Sequence, residues 1–136
     1  MGYRSDVVIA FAFKSKAEAD EVLAIYRMDS RVQQHELEKE WRTHNWGAAY
    51  GLTFTATSVK WYDSYSDVQG LEHMSEVART FSEHRPEFEF AYRKIRIGEE
   101  DNDIESDSYN SEKESCALQD ELWERMGLHR EITTSF

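Results

Sequence analysis

Cysteine is nearly missing from this chain of 136 residues. Cys116 is the only one, which excludes an intramolecular disulfide and any zinc site built on thiolates. One proline, Pro86, and six glycines are all the punctuation there is, far from the composition of a linker or a low-complexity segment. No apolar run approaches the roughly 20 residues of a membrane span. The run nearest the N-terminus, Val7 to Phe13, lacks the basic start, length and small-residue cleavage site of a secretory signal. Basic residues are also scarce, with 16 Lys and Arg against 27 Asp and Glu and a net charge of −11. A general phosphate-binding footprint cannot be built from that balance. These absences predict a cytoplasmic protein with no membrane association and no direct nucleic-acid binding.

What is present suffices for a core. Hydrophobic residues make up 40% and aromatics 13%, and the length fits one domain over residues 1–136. Val7 to Phe13 reads as a buried first strand, followed by Ser15 as a helix cap. Ala19, Val22, Leu23 and Tyr26 recur at helical spacing and predict a helix over 16–28. A second helical piece is expected from Val32 to Trp41, then a loop from Thr43 to Gly51. Leu52 to Tyr62 alternates as a strand, rich in Thr and aromatics. Leu71, Met74, Val77, Ala78 and Phe81 mark a helix over 68–84 that Pro86 ends. Phe88 to Ile97 is a further strand, with Ile104 to Tyr109 as its hairpin partner. A last helix over 112–126 and a short strand over 131–136 complete the order. The pattern predicts an α+β domain with a mainly antiparallel sheet and helices on one face.

Acidic residues concentrate late in the chain. Glu99, Glu100, Asp101, Asp103, Glu105, Asp107, Glu112 and Glu114 stand against Lys113 alone, inside an expected hairpin or loop over 98–115. Three readings compete: a solvated face, a surface for a basic partner, and a calcium loop. Under the second, carboxylates at phosphate-like spacing attract the Lys and Arg of a nucleic-acid-handling protein, a form of DNA mimicry. Under the third, Asp101, Asp103, Glu105, Asp107 and Glu112 fall at positions one, three, five, seven and twelve of an EF-hand loop. Ser106 stands where that loop needs glycine, and a strand precedes it where a helix should.

No catalytic pattern emerges. His35, His44, His73, His84 and His129 form no pair at metal-ligand spacing, and the string His35-Glu36 meets Lys39 where a zinc protease needs its second histidine. There is no phosphate loop or nucleophile elbow. Cys116, followed by Ala117 and Leu118, reads as a buried packing residue. A non-enzyme without cofactor or metal is expected. Trp46 and Tyr50, in a glycine-containing stretch, are the aromatics least explained by periodicity and read as interface anchors.

Several short strings together resemble a group of small bacteriophage-encoded accessory proteins that begin Gly-Tyr-Arg-Ser-Asp/Glu. These are Gly2-Tyr3-Arg4-Ser5-Asp6-Val7, Lys60-Trp61-Tyr62, Ile95-Arg96-Ile97-Gly98-Glu99 with Asp103-Ile104-Glu105, and Arg130-Glu131-Ile132. The resemblance implies a phage protein acting in the bacterial host cytoplasm, with a fold similar to ferredoxin-like sandwiches and no established catalytic residues. Arg4 is then expected to pair with Glu99 or Asp103 and pin the hairpin. The expected function is inhibition of a host nucleic-acid-handling or defence complex with a basic surface. Glu99, Glu100, Asp101, Asp103, Glu105, Asp107, Trp46 and Tyr50 would make the contact. The alternatives are a self-assembling phage component, including a homodimer, and a small-ligand or calcium-binding module.

Overall fold

The computed structural model describes residues 2–100, 102–128 and 131–136. Asp101, His129 and Arg130, which carried part of the expectations above, lie outside the described residues. Five strands form one sheet in the order β2-β3-β1-β4-β5, with every neighbouring pair antiparallel. They are β1 (Ser5–Phe13), β2 (Arg42–Asn45), β3 (Tyr50–Val59), β4 (Phe90–Gly98) and β5 (Ile104–Asn110). Helices α1 (Lys16–Tyr26) and α2 (Ser30–Gln34) lie between β1 and β2, and α3 (Ser66–His84) joins β3 to β4. After β5 come α4 (Ala117–Arg125) and a hairpin of β6 (Met126–Leu128) with β7 (Ile132–Thr134). The fold is α+β, with a mainly antiparallel sheet and helices packed against it, as expected.

Helices do not keep to one face. Val7, Ile9, Phe11 and Phe13 of β1 pack with α1, α2 and α3, whereas Val8, Ala10 and Ala12 pack with Leu118, Leu122 and Met126. Side chains alternate along a strand, so β1 sends its large residues to one layer and mostly small ones to the other. The small residues let α4 approach the sheet closely. A continuous apolar run marks a strand covered on both sides, and β1 is such a strand.

Two expected elements change type. The helix foreseen over 32–41 is only α2 and a 3₁₀ turn, Leu37–Glu40, separated by Glu36 at a left-handed φ of 52°. Trp41 then leaves in extended geometry, and its indole N–H donates to the Tyr26 hydroxyl at 3.0 Å inside the core. The expected loop 43–51 contains β2, which pairs Arg42–Asn45 with β3. The last helix starts at Ala117, five residues later than expected. Pro86 does close α3, whose Val68, Leu71, Met74, Val77 and Ala78 are buried.

Candidate functional site

Along β4 the face turned toward α3 changes from apolar to charged. Phe90 and Tyr92 sit opposite Phe13 and Phe11, and the next residues on that face, Lys94 and Arg96, sit opposite Ile9 and Val7. Lys94 keeps only 7% of its surface exposed. A buried ammonium must be paired, and Lys94 reaches Glu72 of α3 and, at 2.8 Å, Glu105 of β5. Burial alone would push its pKa down, but the hydrogen bonds to Glu105 and Glu72 outweigh it and hold Lys94 above the ordinary lysine value. Its ammonium also lies 5.7 Å from the Trp61 ring centroid.

Around this lysine runs an open groove of about 630 Å³ between α3 and the β4–β5 edge. Five carboxylates line it, from Asp63, Glu72, Glu76, Glu105 and Asp107, with Arg79 and Lys94 the two cations. Glu72, Glu76 and Arg79 fall at helical spacing on α3, so one side of that helix supplies the groove wall. Arg79 lies over the Tyr109 ring at 4.5 Å. The groove therefore carries excess negative charge after internal pairing, and it suits a cationic side chain.

Beyond Lys94 the charged row continues into a second cluster at the end of the sheet. Arg96 donates to both carboxylate oxygens of Asp103, at 3.2 and 2.8 Å, and to Ser5 Oγ at 3.1 Å. The Tyr3 hydroxyl donates to Asp103 at 2.6 Å and accepts from the Glu100 N–H. The Arg96 guanidinium and the Tyr3 hydroxyl hold the Asp103 carboxyl below its usual range. Gly98 leaves room for this cluster, because a Cβ there would overlap the Asp103 carboxylate and the Tyr3 hydroxyl and push them aside. The Tyr62 hydroxyl meets the Tyr3 N–H at 2.6 Å, and the Ser58 N–H donates to Asp6 at 2.8 Å.

Arg4 meets Glu99, one of its two expected partners, through its backbone, and its guanidinium pairs with no acidic side chain among the described residues. Its backbone N–H donates to Glu99 Oε1, and its guanidinium donates to the Ser58 carbonyl, each at 2.9 Å. The pairing with Asp103 belongs to Arg96. That residue lies across from Glu105 in the β4–β5 register and shares its face.

Among the described residues the acidic stretch is a turn and an exposed edge strand, and its carboxylates do not form a uniform negative row. Glu105 and Asp107 line the groove, Asp103 is neutralised by Arg96, and Glu99 and Glu100 are exposed at the turn. Residues 104–110 form an extended strand, so the spacing that resembled a calcium loop does not wrap around a point. Glu112 caps α4, accepting from the N–H groups of Leu118 and Gln119 at 2.9 and 3.3 Å. Among the described residues no group of three or more His, Cys, Asp and Glu is placed to hold a metal ion.

Trp46 and Tyr50 are not brought to this groove. Tyr50 packs against the α1–α3 layer and Trp46 against the α4 layer, on opposite faces of the sheet. The Trp46 ring stacks against both His44 and Phe136, which also touch each other, lies under Arg125, and covers Gly51, where a Cβ would collide with it. Burial and the nearby Arg125 and Arg42 lower the pKa of His44. Cys116, expected to be buried, is exposed just before α4.

Sequence reasoning missed Asp63, Glu72, Glu76, Arg79 and Lys94. The available signal was Lys94 itself, standing where the Phe88, Phe90, Tyr92 alternation calls for another apolar residue. Comparison with protein-family models, with curated proteins and with solved structures returns no match. Among the described residues no helix is long and apolar enough to cross a membrane.

Proposed function

We propose that the chain is a non-enzymatic bacteriophage accessory protein that inhibits a nucleic-acid-handling or defence complex of its bacterial host. The groove between α3 and the β4–β5 edge is its contact surface. The observation that carries this reading is the groove's composition, five carboxylates against two cations. Such a groove steers and holds a basic side chain while the low-dielectric walls of α3 and the sheet limit screening. The strings that resemble the phage proteins support the origin in one respect. Tyr3, Ser5, Tyr62, Arg96, Gly98 and Asp103 converge on one polar cluster, so they act together as one lock. The strand order β2-β3-β1-β4, with β1 between β3 and β4, supports a ferredoxin-like arrangement extended by β5.

The test is affinity capture from bacterial lysate at low and high salt, using the wild type and a triple variant, Asp63→Asn, Glu76→Gln and Asp107→Asn. A basic, nucleic-acid-handling complex retained by the wild type at low salt, and lost by the triple variant, is the expected result. Equal retention by both proteins, or no specific partner at either salt, overturns the proposal.

A further inference from the structure

The last strand of the sheet, β5, has an open edge whose hydrogen-bonding phase is fixed by two bonds. Gly98 N–H donates to the Asp103 carbonyl at 2.8 Å, and Ser111 N–H donates to the Phe90 carbonyl at 3.0 Å. Antiparallel ladders alternate between hydrogen-bonded and non-hydrogen-bonded pairs. The register therefore turns the backbone groups of Glu105, Asp107 and Tyr109 toward β4, and those of Ile104, Ser106 and Ser108 away from the sheet. No described strand lies beyond β5. The residues from Ile104 to Ser108 are exposed. Ser108 N–H already donates to the Asp107 side chain at 2.9 Å, leaving Ile104 and Ser106 as the open backbone sites.

An unpaired edge is a template for another strand, and here its side chains decide which. Glu105 and Asp107 project on the α3 side, and Glu105, Ser106 and Asp107 together line the charged groove, so the groove runs out over the free edge. A second copy of β5 would set these carboxylates against their equals, and like charges across a strand pair repel. A strand with Lys or Arg at every second position meets the opposite situation. In antiparallel pairing its basic residues fall opposite Glu105 and Asp107 in non-hydrogen-bonded pairs, where side chains approach most closely.

We propose that β5 accepts an extended basic segment of its protein partner as a sixth, antiparallel strand, with alternate Lys or Arg side chains entering the groove. This rests on the proposed acidic contact surface and adds its mode and the pattern it selects.

The probe is a labelled eight-residue peptide alternating Lys and Thr, titrated into the full chain at low salt and followed by fluorescence anisotropy. Two analogues are N-methylated, one at the Thr amides, which would face β5, and one at the Lys amides, which would face away. The expected result is binding of the parent and of the Lys-methylated peptide, with the Thr-methylated peptide weakened about tenfold or more. Ser106→Pro, which removes an outward N–H of the kind an edge strand can lose, should weaken the parent similarly while thermal melting stays unchanged. Equal binding of both methylated peptides overturns strand addition and leaves the acidic contact standing. No binding by any of the three basic peptides overturns both.

Discussion

Lys94 concentrates the physics of this protein in one side chain. Its pairing with Glu72 and Glu105 is secured by burial of the lysine, while the carboxylates keep 34% and 46% of their side-chain surface exposed. Replacing it with Met leaves two water-accessible acids facing each other. The expected cost of Lys94→Met is therefore about 1–2 kcal/mol, below the ~3–5 kcal/mol of a fully buried orphan charge. Urea unfolding checks this, and adding Glu105→Gln to the variant should recover part of the loss. Asp29 offers a second test. It pairs with the Arg31 guanidinium and accepts from the Arg31 and Val32 N–H groups at the start of α2, which together lower its pKa to about 2. A depressed acid stabilises the fold above its unfolded pKa and loses that contribution as pH falls through the folded one. Melting temperature should fall more steeply for the wild type than for Asp29→Asn between about pH 4 and pH 2.

Elements here are held at their ends by groups that lie outside them, and those ends are the sensitive points. Helix α4 has no cap from the residue preceding it; the Glu112 carboxylate supplies that bond from across a loop. Glu112→Ala should cost about 1 kcal/mol and speed hydrogen exchange at the Leu118 and Gln119 amides, while exchange in β1 stays slow. The turn from β4 to β5 depends on Gly98. Gly98→Ala forces Asp103 away from Tyr3 and Arg96, and a destabilisation of about 1–3 kcal/mol is expected, measured by thermal melting. Tyr3→Phe in that background should add little, because the bond it removes is already broken.

The whole molecule separates its tasks between the layers. The larger aromatic core under α1, α2 and α3 carries most of the buried volume, with Phe11 beside Trp41, Tyr92 and Phe90. The α4 layer covers the other face through small β1 residues. Charge gathers where α3 meets the open edge, so neutralising the groove should leave melting nearly unchanged while abolishing salt-sensitive partner capture. Circular dichroism melting of the Asp63→Asn, Glu76→Gln, Asp107→Asn protein checks the first half. A drop of more than about 1 kcal/mol would show that these acids support the fold, since exposed charges normally contribute less than that.

By itself the sequence determined the strands β1, β3 and β4 and the helices α1 and α3, because each buries enough apolar surface at a clear period to declare its type. It also determined the acidic excess and its place near residues 99–114. The stretch from 32 to 51 was not legible. Sparse apolar marks fit a helix, yet Trp41 had to turn inward to reach Tyr26, and β2 exists only because β3 offers it a ladder. The same holds for the site. Residues on α3 and β5 are neighbours only after β4 has been laid beside β1, and no local spacing could announce that Glu72 and Glu105 would share one lysine. Tertiary structure alone decided which acids are neutralised and which remain free, since pairing depends on distance in space and local periodicity reaches only one face of one element.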